Sequence, residues 1–173
     1  MVTIKRADIS HLSYALSIYD DAIKKFEIEK TYQWTKGYPN EDIFKKDLIE
    51  NQVYVADLNG KIVGIMTILL QEELDYREID GKWLNDEKYI TIHRIAVKQE
   101  FLGKGIGSSL IDYAIRFVTE NDINNIRIDT HEFNYDMKKL LLRKGFIKCG
   151  VIKLRNKNFE LRDAYHYSNK HIN

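Results

Sequence analysis

The apolar residues of the first fifty positions change their spacing, which predicts one strand followed by two helices. Val2–Arg6 alternates apolar and polar residues, as a half-buried strand does. Asp8 or Ser10 then caps a helix that runs to about Phe26, because apolar residues recur every three or four positions. The inward residues of this helix are expected to be Leu12, Ala15, Leu16, Tyr19, Ala22, Ile23 and Phe26. A second helix is predicted over residues 41–50. Its inward residues are expected to be Ile43, Phe44, Leu48 and Ile49.

Two stretches have no regular period and are predicted to be loops. Residues 31–40 are aromatic and contain Gly37 and Pro39, which interrupt helices. Residues 71–88 form a polar, acid-rich insert, in which Asp80-Gly81 indicates a turn and a small hairpin is expected. Loops carried by a rigid sheet often form binding pockets, so both stretches are candidates for contact with a substrate.

The remaining apolar runs predict the strands of one sheet. Residues 52–58 and 61–70 flank Asn59-Gly60, the dipeptide most typical of a tight hairpin turn. Further strands are predicted over residues 89–97, 125–130, 146–155 and 159–167, the last two joined across residues 156–158. Helices are predicted over residues 109–120 and 134–144. Hairpins make the early strands antiparallel, whereas the strand–helix–strand unit in the middle requires a parallel crossover. The chain is therefore expected to form a mixed sheet with helices on its faces.

The most distinctive stretch is the loop Leu102-Gly103-Lys104-Gly105-Ile106-Gly107-Ser108, which follows a predicted strand and opens a predicted helix. Glycines at alternate positions leave the backbone uncovered and allow dihedral angles that other residues hold only at a cost. Several N–H groups can then point to one spot, and the positive end of the helix dipole adds to them. The loop is a candidate cradle for an anion, most often phosphate, and Lys104 adds a mobile charge at its rim.

Three alternatives compete with the anion-cradle interpretation of this loop. A glycine-rich turn without any ligand is the structural alternative. A Walker loop is excluded because no Gly-Lys-Ser/Thr ending is present. A dinucleotide fingerprint fits poorly, because it needs a longer glycine spacing. Asp129 does end the next apolar run, as that fingerprint requires, but no repeated strand–helix units follow the loop.

Composition limits the class of protein. The 173 residues, 44% of them apolar, are enough for a single domain over residues 1–173. Lys and Arg number 27 against 26 acidic residues, so no general affinity for nucleic acid is expected. The single cysteine, Cys149, suits a reducing compartment and is a poor candidate nucleophile in an apolar strand. No signal-type or membrane-spanning stretch is evident, so we expect a cytoplasmic protein with no membrane partner.

With this loop and the predicted order of elements, the sequence resembles the GNAT superfamily of acetyl-CoA-dependent N-acetyltransferases. The loop of that family has the form Arg/Gln-x-x-Gly-x-Gly/Ala, which falls on residues 102–107 here with Leu102 in the leading position. Asn134 and Gly145-Phe146 match the start and end of the family's next short helix. A second likeness, to a bacterial subgroup without settled substrate, rests on further residues. These are His93-Arg94, Asp129-Thr130-His131, Asn134, Met137, Cys149-Gly150, Trp34 and Tyr38-Pro39.

The resemblance implies a fold and a cosubstrate. The fold is a mixed, mostly antiparallel sheet with a central parallel pair at the cofactor slot and helices on both faces. The cosubstrate is acetyl-CoA, and no metal is needed. The main chain at residues 95–97 would hydrogen-bond the pantetheine arm like an added strand. The cofactor-binding residues implied are Ile95, Ala96, Val97, Leu102, Gly103, Lys104, Gly105, Ile106, Gly107, Ser108, Asn134 and Met137.

Acyl transfer to an amine needs a base, and three residues are candidates for the catalytic roles. His93 is the first choice, because an imidazole titrates near neutrality and a histidine at this position resembles one used by arylalkylamine N-acetyltransferases. His131 follows a strand end, where ligands of α/β sheets tend to bind. Many relatives carry a tyrosine as general acid at the position of Leu141, so Tyr135 is considered in its place. The alternative is that both histidines are structural, and Arg94 is expected in an ion pair.

The acceptor is predicted to be an amine of a small molecule or peptide. Its candidate contacts are the aromatic residues of the two irregular stretches, Trp34, Tyr38, Tyr76 and Trp83. The acid-rich insert favours a cationic acceptor, unless these aromatics only cover the core edge and the acids face water. A homodimer is possible through an exposed edge of the last hairpin. The competing functions are a non-catalytic acyl-CoA-binding module and a nucleotide-binding enzyme of another class.

Overall fold

The structure is a computed structural model that describes residues 1–170. These residues form four α-helices and eight strands, with short 3₁₀ turns between some of them. The helices are α1 (Leu12–Ile28), α2 (Glu41–Ile49), α3 (Ile106–Glu120) and α4 (Tyr135–Arg143). The strands are β1 (Val2–Arg6), β2 (Val53–Leu58), β3 (Lys61–Leu69), β4 (Ile79–Gly81), β5 (Tyr89–Val97), β6 (Asn125–Thr130), β7 (Ile147–Leu154) and β8 (Glu160–Ser168). No helix formed by the described residues is long and apolar enough to span a bilayer.

The eight strands form one sheet in the order β1-β2-β3-β5-β6-β8-β7-β4. Its parallel pair is β5 with β6, matched over Tyr89–Thr91 and residues 125–127. The β2–β3 hairpin turns at Asn59 and Gly60, which have φ values of 54° and 86°, as a type I′ turn requires. The predicted mixed, mostly antiparallel sheet with one parallel pair is confirmed.

The acidic insert does not fold on itself as a small hairpin, and this expectation was wrong. Instead β4 pairs antiparallel with β7 from a distant part of the chain. Gly81 and Gly150 allow the two backbones to approach closely. A Cβ atom at Gly81 would overlap the carbonyl oxygen of Cys149, and one at Gly150 would overlap the carbonyl oxygen of Asp80. The pairing also means that β7 of the last hairpin is covered by β4 along part of its length.

The two N-terminal helices, α1 and α2, largely follow their predicted faces. Asp8 caps the short 3₁₀ turn Ile9–His11, its Oδ1 accepting from the N–H of Ser10 at 2.8 Å. The helix α1 begins directly after this turn, with His11 at its N-cap position and no side-chain cap of its own. On α2 the predicted inward position of Ile49 was wrong, because that side chain is 83% exposed. Asp47 takes an inward place instead and is only 4% exposed. A buried carboxylate needs hydrogen-bond or ion-pair partners to offset its lost hydration.

The chain divides into two compact units, and β5 and α3 contribute residues to both. Unit 1 comprises Met1–Ile68 and His93–Tyr113. Its core joins α1 and α2 to β2, β3 and the end of β5. Unit 2 comprises Leu69–Ile92 and the chain from Ala114 onward. Its smaller cluster joins Tyr76 and Trp83 of the insert to β7 and β8.

A buried carboxylate on β8 stabilises unit 2. Asp163 lies 2.7 Å from Nζ of Lys138 on α4 and 2.8 Å from Nζ of Lys148 on β7. Burial acts to raise the pKa of Asp163, but hydrogen bonds from the two lysines outweigh it and hold the pKa below its usual value.

We expect Asp163→Asn to lower the free energy of unfolding by about 1 kcal/mol at pH 7, a modest value because both lysines are partly exposed. The pKa is depressed in the folded state, so this stabilisation is present above the unfolded pKa of about 3.9. It is lost as the pH falls through the lower folded pKa. Urea denaturation of both proteins from pH 7 to pH 3 measures the difference, which should shrink at the acid end. A difference independent of pH would contradict the assignment.

Candidate active site

The glycine loop of unit 1 has an uncovered backbone. Gly103 and Gly105 have φ values of 74° and 81°. Apart from the adjoining residues, nothing in the described part of the chain lies within 4 Å of a Cβ atom added to either. Neighbouring side chains therefore do not fill the space over the loop. The amides of Ile106, Gly107 and Ser108 open α3, and no acceptor for them is found among residues 1–170. The loop presents the unpaired N–H groups and the positive helix end that bind anions.

The loop is fixed at both ends by packing within unit 1. Gly64 on β3 lets α3 lie close to the strand, since its missing Cβ would stand 2.9 Å from Ile106 and 3.2 Å from Leu110. Before the loop, the N–H of Lys98 donates to the carbonyl of Val63 at 2.8 Å, and its Nζ lies 2.9 Å from Asp21 on α1. The cradle is therefore held in place before any ligand arrives.

Positive charge lies at the rim of this loop. The Nζ atoms of Lys104 and Lys61 each lie 4.9 Å from the centroid of the Phe101 ring. Lys61 also pairs with Glu100 at 2.6 Å, so part of its charge is compensated. Lys104 remains the rim charge that the sequence predicts.

The end of β5, which follows His93, contains a local distortion. Arg94 has a φ of 49°, in the left-handed region that bulky residues rarely adopt. Its Nε and Nη2 donate to Asp47 at 2.7 and 2.9 Å, and its Nη1 donates to Tyr38 Oη at 3.2 Å. The predicted ion pair of Arg94 is confirmed. Burial acts to lower the pKa of this guanidinium, but Tyr38 and Asp47 outweigh it and raise the pKa, so Arg94 is charged.

The aromatic residues of the loop 31–40 pack into unit 1. Trp34 is buried, with its ring edge-on to Tyr19 at 5.9 Å and to Phe26 at 5.6 Å. Tyr38 is half-buried, and its hydroxyl is the acceptor for Arg94. The structure thus gives Trp34 a place in the core and Tyr38 a place beside β5. Contact of either residue with an acceptor stays a prediction.

The aromatic residues of the insert are buried in unit 2. The Tyr76 hydroxyl donates to Asp129 Oδ2 at 2.7 Å, and its carbonyl accepts from Trp83 Nε1 at 2.9 Å. Trp83 and Tyr89 enclose the Arg127 guanidinium, whose Cζ lies 4.4 and 4.1 Å from their ring centroids. These contacts give Tyr76 and Trp83 structural roles, and their predicted contact with an acceptor stays untested.

Several acidic residues of the insert lie in ion pairs with basic side chains. Glu72 pairs with Arg77 at 2.8 Å, and Glu87 pairs with Lys170 at 2.9 Å. Arg155 lies 2.8 Å from Glu78 and 3.9 Å from Asp75. The acidic composition of this stretch therefore gives little support for a cationic acceptor.

Asp129, at the end of β6, belongs to a buried polar network in unit 2. Its Oδ1 lies 3.7 Å from Nε of the buried Arg162, which also pairs with Glu160. Burial raises the pKa of Asp129, although the Tyr76 hydroxyl and Arg162 oppose this effect. Glu160 in turn lies 3.8 Å from Nε2 of His131.

The hydrogen bonds of His131 limit its use as a base. Its Nδ1 accepts from the backbone N–H of Phe133 at 3.2 Å, so in the neutral ring the proton resides on Nε2, toward Glu160. Burial and the charge of Arg162 lower its pKa. The lone pair that a base would use is therefore engaged by the backbone, and a catalytic role for His131 stays a prediction.

The residues around α4 have mixed surroundings. Asn134 caps the helix, its Oδ1 accepting from the Met137 N–H at 3.3 Å. Tyr135 is exposed, and its ring lies 6.4 Å from that of Phe133. Leu141 is fully buried in unit 2. Cofactor contact by Asn134 and Met137 and proton donation by Tyr135 stay predictions.

Two other kinds of chemistry, a cysteine nucleophile and a metal centre, can be compared with the structure. Burial raises the pKa of the Cys149 thiol, which disfavours the thiolate that a nucleophile needs. Among residues 1–170, no group of three or more His, Cys, Asp or Glu side chains is placed to hold a metal ion.

Sequence reasoning missed two residues that the structure places at these sites. Asp47 holds Arg94, and its position three residues after Phe44 could have revealed that it shares the buried face of α2. Arg162 is buried between two carboxylates, and no local pattern in an alternating strand marks such a residue.

The mixed sheet with one parallel pair, and the uncovered glycine loop that opens the helix after β5, are the fold and the loop that the acetyltransferase resemblance implies. Residues 16–146 match the Acetyltransferase (GNAT) family. The chain belongs to this family, and the resemblance seen in the sequence is confirmed.

Individual relatives agree with this assignment. The chain is similar to the crystal structure of a GNAT-family acetyltransferase from Streptococcus agalactiae 2603, with 28% identity and a TM-score of 0.79 over 98% of this chain and 96% of that one. An uncharacterized N-acetyltransferase of Methanocaldococcus jannaschii is 26% identical over 87% of this chain and 63% of its own length. An uncharacterized N-acetyltransferase of Chlorobaculum tepidum is 28% identical over 66% of this chain and 61% of its own length. The chain thus spans less than two thirds of these two curated relatives.

Proposed function

We propose that this protein is an N-acetyltransferase that moves an acetyl group from acetyl-CoA directly to an amine of a small molecule or peptide. The observation that carries the proposal is the uncovered loop of residues 102–108. The amides of Ile106, Gly107 and Ser108 lack acceptors among residues 1–170, and Gly103 and Gly105 leave open space above the loop. We further propose that the two units act together as one acetyltransferase domain, since the family match at residues 16–146 includes parts of both.

The residues of unit 1 fit the phosphate-bearing part of acetyl-CoA. The amides from Gly103 to Ser108 would hold the diphosphate, and Lys104 would add a charge at its edge. The main chain of Ile95 to Val97 would pair with the pantetheine amides, because the matched part of β5 and β6 ends at Thr91. Acetyl-CoA supplies the acetyl group as a thioester, which a neutral amine can attack.

Attack by the amine then requires that its nitrogen lose one proton. We assign His93 as the group that takes it from the amine nitrogen, directly or through water, because the residue lies on β5 beside the proposed pantetheine contacts. A backbone N–H of β5 would stabilise the developing negative charge on the carbonyl oxygen. The departing sulfur regains a proton from water or from a side chain such as Tyr135, since Leu141 has none to give.

We expect acetyl-CoA to raise the melting temperature. A ligand that binds only the folded state at about one hundred times its Kd stabilises it by roughly 2.7 kcal/mol. For a chain of this size, that corresponds to a shift of about 5–10 °C. Differential scanning fluorimetry with acetyl-CoA measures it, and ATP and NAD at equal concentration serve as controls. A larger shift with either nucleotide would favour the nucleotide-binding alternative instead.

A second function, acyl-CoA binding without turnover, has one supporting observation. Leu141 occupies the position at which many relatives carry the acidic tyrosine, and it is fully buried. A thermal shift with coenzyme A together with no thiol release across a panel of polyamines, amino acids, aminoglycosides and peptides would favour this function. Thiol release that depends on one of these amines would exclude it.

A further inference from the structure

A buried ion pair adjoins the part of β5 that is proposed to bind pantetheine. Asp47 and Arg94 have side chains only 5% and 10% exposed, and two hydrogen bonds join them in the bidentate geometry typical of Arg–carboxylate pairs. All of the groups involved belong to unit 1. Buried charges are retained at a cost in desolvation, so such a pair invites a functional explanation.

The backbone at Arg94 supplies the second observation. Its φ of 49° is unfavourable for a side chain of this size and persists only where surrounding contacts hold it. Asp47 accepts hydrogen bonds from Nε and Nη2, and the Tyr38 hydroxyl accepts one from Nη1. The side-chain contacts of Arg94 therefore fix a strained turn of the β5 backbone.

The partners of Asp47 make this contact rigid. Its Oδ2 also accepts from the hydroxyl of Thr67 on β3 at 3.2 Å. Its own carbonyl accepts from the N–H of Gln52 at 3.0 Å, just after α2 ends. The carboxylate is thus anchored to a helix and to a neighbouring strand, and the guanidinium follows it.

We propose that Asp47 is a positioning residue, which through Arg94 sets the direction of the β5 main chain from Ile95 to Val97 and so its fit to the pantetheine arm of acetyl-CoA. This inference rests on the proposed function. Ala96, two residues after Arg94, is packed in the unit 1 cluster, so the segment that would bind pantetheine is held both by the core and by the Arg94 contacts.

The test compares two ligands that share the diphosphate. Acetyl-CoA contacts both the loop and β5 in the proposed arrangement, whereas adenosine 3′-phosphate 5′-diphosphate lacks pantetheine and contacts the loop alone. For Asp47→Asn we expect the Kd of acetyl-CoA to rise about tenfold, because one or two backbone hydrogen bonds to pantetheine would be lost. The Kd of adenosine 3′-phosphate 5′-diphosphate should stay unchanged. Isothermal titration calorimetry on the folded proteins measures both.

Two further variants keep the result interpretable. Asp42→Asn makes the same chemical change at an exposed position of α2 and should alter neither Kd. Arg94→Lys keeps the buried charge but loses the planar fork, so it should fold and reproduce the tenfold effect on acetyl-CoA alone.

The outcomes separate the two proposals. If wild type binds neither ligand, the proposed function fails. If wild type binds both and the variants leave the ratio of the two Kd values unchanged, the positioning role is overturned while the proposed function stands. Unfolding of both Asp47→Asn and Arg94→Lys would also overturn it, since the pair would then serve the fold as a whole.

Discussion

Gly105→Val is expected to abolish the stabilisation of this protein by acetyl-CoA. Gly105 has a φ of 81°, so a β-branched residue there is strained by about 1–3 kcal/mol. Apart from its two neighbours in the chain, no residue among 1–170 has an atom within 4 Å of the added Cβ, so the new side chain would project into the space that the diphosphate is proposed to occupy. Loss of two charge-assisted hydrogen bonds, at about 1.5–3 kcal/mol each, would weaken binding a hundredfold or more.

A matched glycine separates strain from ligand binding. Gly60 has a φ of 86° and equally open surroundings, but it lies in the β2–β3 turn. Gly60→Val should therefore lower the melting temperature about as much as Gly105→Val does, yet keep the shift with acetyl-CoA. Scanning fluorimetry of the three proteins across acetyl-CoA concentrations decides the matter. Retention of tight binding by Gly105→Val would remove the main support for the proposed function.

His93→Ala is expected to slow acetyl transfer by about 10²- to 10⁴-fold, the usual contribution of a positioned general base. The Kd of acetyl-CoA should stay the same, because the proposed pantetheine contacts use main-chain groups. The deficit should also shrink as the pH rises, since more of the amine then arrives without its proton. Thiol release with an accepted amine, followed between pH 6 and pH 10, measures both effects.

His131 offers the control for this experiment. Its Nδ1 accepts a backbone N–H, so His131→Ala should change the rate less than about tenfold, the size of effect expected for a neighbouring hydrogen bond rather than a base. If the two variants exchanged these effects, the base would be His131 and the hydrogen bond to Phe133 would have to open during turnover. An equal, pH-independent loss in both would argue that each histidine is structural.

Sequence patterns predicted the elements well, where the signal is local. The Asn59-Gly60 turn, the cap at Asp8 and the glycine loop each depend on dihedral angles or hydrogen bonds within a few residues. The same holds for the parallel pair, because the strand–helix–strand order around α3 allows few other connections. These features therefore follow from the sequence alone.

Partners distant in the chain were predicted poorly. The insert carries the turn dipeptide Asp80-Gly81, yet β4 pairs with β7, because Gly150 permits a backbone approach that no local residue offers. The acidic residues of the insert suggested a cationic acceptor, yet basic residues as remote as Arg155 and Lys170 compensate several of them. Charge along a sequence does not reveal which charges meet in space.

The sequence by itself determined that this chain folds as a mixed sheet with an uncovered glycine loop at residues 102–108, because glycine dihedrals and strand–helix order are properties of adjacent residues. Only the tertiary structure decided that Asp47 binds Arg94 and that a backbone N–H donates to Nδ1 of His131. The physical reason is that a side chain's protonation, burial and direction are set by whatever packs against it, and packing brings together residues that the chain keeps far apart.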